Sequence, residues 1–135
     1  MKNIGVLVSG GGTNLQALID AEKSGIIKDG KIPCVISSNP DAYALERAEK
    51  NNIKTRVLPR KSFPDSVTYS RAILSALDEE KADLVVIVPA TANIIGKVAN
   101  GIADDMLSTM ALAAECKIIV APAMNPNMYK NKIVQ

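Results

Sequence analysis

An open, doubly wound α/β domain built on a parallel five-stranded sheet is the fold this sequence predicts, on three observations. Short apolar runs alternate with amphipathic helical stretches from one end of the chain to the other. Most of these runs are continuously apolar, as strands buried on both faces must be. A triple glycine follows the first run directly, where a buried strand turns into a helix.

The strands are expected at residues 4–8, 32–36, 55–58, 84–88 and 118–121. After the first, a helix is expected to begin at Thr13, because Thr13 and Gln16 have capping-box spacing and Leu15, Leu18 and Ile19 then form one stripe; Gly25 ends it. Ser38-Asn39-Pro40-Asp41 offers a cap and an early proline for a second helix with Ala44, Leu45 and Ala48 inward. A third helix is expected from Ser62, with Asp65 three residues on, presenting Val67, Ile73, Leu74 and Leu77 to the sheet. Residues 91–100 read as a fourth. Gly101 interrupts the pattern, and residues 104–115 resume it with Leu107, Met110, Ala111 and Ala114 inward.

Right-handed crossovers turn this succession into the strand order 3-2-1-4-5, with helices on both faces. The order reverses between the first and fourth strands. Ligands of such sheets sit at the carboxyl ends beside the reversal, which sets loop 10–14 opposite loop 89–93. No linker or repeat interrupts the chain, so residues 1–135 are expected to form a single domain, with residues 122–135 free to run over the surface or into a partner.

Composition narrows the function classes. The 135 residues are 47% hydrophobic and 22% charged, a globular balance, and no run reaches the roughly 18 apolar residues of a membrane span. The apolar start runs into glycines and a helix pattern with no small-residue cleavage site, so an internal strand and a cytoplasmic location are expected. A formal charge of +2 is too small to imply nucleic-acid binding, and the basic residues Lys50, Lys54, Arg56, Arg60 and Lys61 read as a solvated face. Cys34 and Cys116 read as buried free thiols. There is no histidine, which removes the usual neutral-pH general base and the commonest nitrogen metal ligand; no metal site is expected.

The chemistry of the sequence is concentrated in Ser9-Gly10-Gly11-Gly12-Thr13-Asn14. Consecutive glycines permit positive φ and let backbone amides converge on one anion, while the helix that follows contributes unpaired amides and the positive end of its dipole. Thr13 and Asn14 add a hydroxyl and an amide. No lysine follows the glycines, so this is not a Walker loop, and the spacing is not that of a dinucleotide fingerprint. A small phosphorylated ligand is the expected partner, the alternative being a tight turn that binds nothing.

Two resemblances then enter. Ile4-Gly5-Val6-Leu7-Val8-Ser9-Gly10-Gly11-Gly12-Thr13-Asn14-Leu15-Gln16-Ala17, Ser37-Ser38-Asn39 with Asp41-Ala42, and Leu45-Glu46-Arg47-Ala48 make residues 1–82 resemble the glycinamide ribonucleotide formyltransferases of purine synthesis. That likeness implies that Gly11, Gly12, Thr13 and Asn14 hold a ribonucleotide phosphate. The family's downstream asparagine, histidine and aspartate have no counterpart here; Glu46 and Arg47 read as surface helix residues. Residues 83–135 change allegiance. Pro89-Ala90-Thr91-Ala92-Asn93-Ile94-Ile95-Gly96-Lys97, Gly101-Ile102-Ala103-Asp104-Asp105 and Ala121-Pro122-Ala123-Met124-Asn125-Pro126-Asn127-Met128-Tyr129 resemble the phosphopantothenoylcysteine decarboxylase flavoproteins of coenzyme A synthesis.

The strand order makes the sheet Rossmann- or flavodoxin-like, and the second likeness implies an FMN site drawing on Pro89, Ala90, Thr91, Asn93, Lys97, Asp104 and Met124. It implies catalysis through Asn125 over the substrate carboxylate, and a homo-oligomer, a trimer, with sites between subunits. Departures accompany it: Ile94 replaces a threonine, Gly96 an alanine, and the position of the catalytic histidine falls near Ser75. Asp104 and Asp105 read equally as helix caps. The expectation is thus a chimera-like, recombined scaffold that retains a phosphate or FMN pocket without a complete catalytic set. An FMN-dependent decarboxylase is the alternative, and a formyltransferase-like protein the third.

Overall fold

A computed structural model describes residues 1–8, 10–132 and 135. Its elements are β1 (Lys2–Val8), α1 (Thr13–Lys23), β2 (Gly30–Ser37), α2 (Tyr43–Lys50), β3 (Lys54–Val57), a 3-10 turn (Arg60–Ser62), α3 (Ser66–Glu79), β4 (Leu84–Ala90), α4 (Ala92–Ala99), α5 (Met106–Ala113), β5 (Lys117–Pro122) and α6 (Pro126–Tyr129). The five strands form one sheet in the order β3-β2-β1-β4-β5, every neighbouring pair parallel, as the sequence predicts.

Alternating side chains send each strand into two cores. On one face Leu7, Ile36, Val85 and Ile87 pack under Tyr69, Ile73 and Leu77 of α3, Ile94 of α4, and Met106 and Met110 of α5. On the other, Val6, Val8, Val35 and Val86 pack under Leu15 and Ile19 of α1 and Ala44 and Ala48 of α2. At the centre, β1 meets β4 in register from Ile4 opposite Leu84 to Leu7 opposite Ile87. No helix among the described residues is long and apolar enough to cross a membrane.

Several local expectations are corrected. Gly12, at φ 77°, is the N-cap of α1; Thr13 already lies inside the helix, and the Gln16 carboxamide donates to Asp20 rather than closing a capping box. The polar segment before α2 folds into its own turn, in which the Ser37 hydroxyl donates to the Asn39 carbonyl (2.8 Å) and the Asp41 amide to the Asn39 side chain (3.0 Å). Ala42 is left as an N-cap with no side-chain bond. Ser62 closes the 3-10 turn, and α3 starts four residues later, capped by Asp65, which accepts from the Thr68 amide at 2.7 Å. That start sets the buried stripe at Tyr69, Ile73, Ala76 and Leu77, so Val67 is 61% exposed. The edge strand β5 is covered incompletely, with Ile119 and Val120 about half exposed.

The basic run is not a uniformly solvated face. Arg56 pairs with Glu79 and Glu80 at the end of α3, and Lys54 joins Glu80. Cys34 is a buried free thiol, as expected, and Cys116 is a half-buried one.

Candidate functional site

Where the strand order reverses, the carboxyl ends of β1 and β4 part and leave a crevice of 480 Å³. One wall is Gly10, Gly11, Gly12, Thr13 and Asn14; the other is Val88, Pro89, Thr91, Asn93 and Ile94, with Asp105 and Leu107 behind and Leu7 and Val8 at the base. Its volume is in the range of small-molecule sites, roughly 300–1,000 Å³. The two loops that the sequence sets opposite each other therefore do face each other.

Each wall has a helix start. The first-turn amides of α1 have no intrahelical acceptor, and α1 begins at the glycine loop itself. On the facing side, α4 is capped by Thr91, whose hydroxyl accepts from the Ile94 amide at 3.4 Å. Both dipoles bring their positive ends to the crevice. The three glycines divide their work. A methyl group on Gly12 would lie 2.6 Å from the Ala44 Cβ and 2.8 Å from its Cα, so the left-handed turn is packed against α2. Methyl groups on Gly10 or Gly11 would meet nothing within 4 Å, which leaves their backbone open to the crevice.

At the back, Asp105 caps α5 in a full capping box with Ser108, accepting from the Ser108 amide at 2.8 Å and its hydroxyl at 2.7 Å. Lys97 lies between Asp104 (2.8 Å) and Asp105 (2.7 Å). Partial burial pushes the Asp105 carboxyl up, but the Lys97 ammonium and the Ser108 donors outweigh it and hold the group below the usual aspartate range. The same two carboxylates, Asp104 first, raise the pKa of Lys97.

The residues singled out from the sequence thus separate. Gly10, Gly11, Gly12, Thr13, Asn14, Pro89, Thr91 and Asn93 line one crevice. Ala90 is buried beside it, where its carbonyl accepts from the Ala123 amide. Lys97 is engaged by the two aspartates, and Asp104 faces a neighbouring hollow. Asn125 caps α6, accepting from the Met128 amide at 3.0 Å, and neither it nor the half-buried Met124 is among the crevice residues. Ser9 lies outside the described residues. Sequence reasoning missed Asp105 as the carboxylate of the crevice, although Ser108 three residues later marks it, and not Asp104, as the cap. It also missed Arg47, whose Nε donates to the Gly11 carbonyl at 2.8 Å.

Comparison with known proteins gives the same divided picture. Over 65 residues the chain is 52% identical to the coenzyme A biosynthesis bifunctional protein CoaBC of Bacillus subtilis, covering 47% of this chain and 16% of that protein. Over 87 residues it is 47% identical to the phosphoribosylglycinamide formyltransferase of Haemophilus influenzae, covering 64% of this chain and 41% of that one. It thus spans less than half the length of either relative. Among solved structures, glycinamide ribonucleotide transformylase 1 from Geobacillus kaustophilus matches 99% of this chain and 64% of its own, with a TM-score of 0.71 at 25% identity. The corresponding enzyme from Symbiobacterium toebii matches 64% of this chain and 40% of its own, with a TM-score of 0.61 at 38% identity. The mixed resemblance is therefore present in the sequence, while both of these solved structures are of the formyltransferase type. The Flavoprotein family model matches residues 14–135, from the last residue of the glycine loop to the end of the chain, and the protein belongs to that family.

Proposed function

We propose that this chain is a single recombined α/β domain that binds a small phosphorylated ligand, FMN by preference, and does not carry a complete catalytic set within these residues. The observation that carries this reading is the crevice itself, where a glycine wall of the formyltransferase type faces a Pro89–Thr91–Asn93 wall of the flavoprotein type.

The residues present fit FMN. Gly10 and Gly11 leave room for a phosphate against the backbone, and the α1 amides supply donors without a charged side chain. Thr91 and Asn93 offer polar groups beside the apolar Leu7, Val8 and Leu107, suited to a flat ring system with one polar and one apolar edge. When bound, the flavin supplies a two-electron acceptor. The chain's own contribution is binding and orientation. Among the described crevice residues Asp105 is the sole titratable group, and its carboxyl is held ionised by Lys97. A general acid or base working near neutral pH needs a pKa near neutral, which this carboxylate lacks.

The test is an equilibrium titration of flavin fluorescence with FMN and riboflavin, alongside solution mass and carbon dioxide release from phosphopantothenoylcysteine. FMN should bind at least about tenfold more tightly than riboflavin, the difference of a charge-assisted phosphate contact, with no enzymatic release of carbon dioxide. Equal binding of the two flavins, or none, overturns the ligand assignment. Turnover at an enzymatic rate, with trimer formation on binding FMN, overturns the scaffold reading in favour of an active decarboxylase.

A further inference from the structure

The glycine loop is not left to find its conformation alone; α2 holds it from behind. The Ala44 amide, in the first turn of α2, donates to the Gly10 carbonyl at 3.1 Å. One turn later on the same helix, Arg47 Nε donates to the Gly11 carbonyl at 2.8 Å. Both carbonyls therefore point toward α2, which lies on the β2 side of the loop, whereas the crevice lies on the β4 side.

A trans peptide is planar, with its C=O and N–H directed oppositely. Drawing the Gly10 and Gly11 carbonyls toward α2 consequently aims the Gly11 and Gly12 amides away from it, into the crevice. Gly12 is left-handed, at φ 77° and ψ 27°, and the residue after it is helical, the succession that makes adjacent amides converge on an anion. The peptide between Gly11 and Gly12 is the vulnerable one. Like the Gly10–Gly11 peptide it is flanked by two glycines, and a flip would present a carbonyl oxygen to the anion in place of a donor, but the Gly10 carbonyl is held by a helix backbone amide whereas the Gly11 carbonyl is held by a side chain. Of its restraints, the Arg47 bond is the one made by a side chain. The Arg47 guanidinium is itself held, 4.9 Å above the Tyr43 ring.

We infer that Arg47 is a positioning residue for anion binding: it latches the Gly11–Gly12 peptide so that the Gly12 amide faces the ligand. The inference rests on the anion-site reading of the loop and goes beyond it by assigning a residue on another element the task of setting its polarity.

Three substitutions separate a latch from a mere positive charge. Arg47→Gln puts an amide nitrogen at the same number of bonds from the backbone as Nε, keeping the donor and removing the charge. Arg47→Met puts a methyl group there and removes both. Arg47→Lys keeps the charge and moves the donor one atom outward. Inorganic phosphate is titrated into each protein and followed by amide NMR, with thermal unfolding as a check on folding. Arg47→Met should weaken phosphate binding about tenfold, the size of one hydrogen bond, and broaden the Gly12 amide through peptide exchange, whereas Arg47→Gln should stay near the parent in both. Arg47→Gln losing as much affinity as Arg47→Met while Arg47→Lys keeps it would overturn the latch in favour of charge. If the parent protein does not bind phosphate, the anion-site reading fails. The Gly12 amide still decides the latch, since unchanged broadening in Arg47→Met overturns it.

Discussion

Gly12→Ala should unfold this protein earlier, whereas Gly11→Ala should leave its stability almost intact and cost it its ligand. At Gly12 an alanine must adopt φ 77°, a left-handed conformation that costs an L-residue roughly 1–2 kcal/mol. Its Cβ would also lie 2.6 Å from the Ala44 Cβ and 2.8 Å from the Ala44 Cα. The second of these is backbone and cannot swing aside, so α2 must shift, an overpacking penalty of about 1–3 kcal/mol. Against this stands about 0.5 kcal/mol from restricting the unfolded chain. The net loss is about 3 kcal/mol, and with an unfolding entropy of roughly 2.1 cal/mol/K per residue over 135 residues the midpoint should fall by about 10 °C. At Gly11 the added methyl meets nothing within 4 Å and stability should move by no more than about 0.5 kcal/mol. The methyl would instead occupy space at the crevice where a phosphate approaches. Thermal unfolding followed by far-UV circular dichroism, paired with the FMN titration, reads both effects. Gly12→Ala melting with the parent would refute the packing of the glycine turn against α2, and Gly11→Ala binding FMN as the parent does would refute the division of labour between the glycines.

Removing the Tyr69 hydroxyl, which donates to the Leu58 carbonyl at 2.7 Å, with Tyr69→Phe should cost about 1–2 kcal/mol; unchanged denaturant midpoints would show that water replaces it. Asp105→Ala should cost about 1 kcal/mol through loss of the α5 cap, and Asp105→Asn less, because asparagine caps as well. The Asp105 carboxyl is held below its ordinary value of 3.8, so the stability its charge contributes is present above that value and lost as pH falls through the lowered one. The gap between the parent and Asp105→Asn should therefore close in acid, and a gap that persists would contradict the Lys97 pairing. Burial pushes the Cys34 thiol up to about 11 from 9.0. Because the folded pKa is the higher, its contribution is complete below the unfolded value and declines as pH rises toward 11. Alkylation followed by mass spectrometry should accordingly label the half-buried Cys116 first and Cys34 after unfolding; prompt labelling of Cys34 at neutral pH would contradict its burial.

The sheet was legible because its information is local and redundant. Five apolar runs, one glycine turn and the handedness of crossovers are enough to order the strands, and each run is its own evidence of burial. Helix starts were less legible, because polar residues compete to cap them. Ser62 and Asp65 both suit the role, and Asp65 takes it because the Thr68 amide lies within its reach; Ile73 and Leu77 face inward as expected, but Tyr69 and Ala76 complete the stripe and Val67 lies off it. Long-range pairs were not legible at all. Arg56 lies 23 residues from Glu79, and no pattern in a basic run reveals that its counter-charges wait at the end of the next helix. Arg47 was hidden for a related reason: on the helix alone it looks like a surface cation, and its purpose is visible once β1 and β2 bring the glycine loop beside α2.

On the recombined-scaffold reading, in which two α/β segments meet at the start of β4, the same distinction explains why binding would outlast catalysis. On the glycine wall, the groups that shape the proposed anion cradle lie within residues 10–47: the left-handed Gly12, the start of α1, and the α2 groups that draw two carbonyls backward. A cradle made of backbone amides moves with its own strand and helix and needs no partner across the seam. The seam itself is a parallel ladder, β1 to β4, whose hydrogen bonds do not depend on side-chain identity, and its packing is served by small and branched residues such as Gly5, Val6, Val85 and Val86. Acid–base chemistry has no such independence. It needs side chains from both walls at near-attack distances with pKa values tuned to the working pH. Here the carboxylate that reaches the crevice, Asp105, is already engaged by Lys97 and by the cap of α5. A structural tie that fixes the charge of a group also removes it from proton transfer. On the recombined-scaffold reading, restoring turnover therefore requires a new titratable group on the Asn93 wall, not a better phosphate site on the glycine wall.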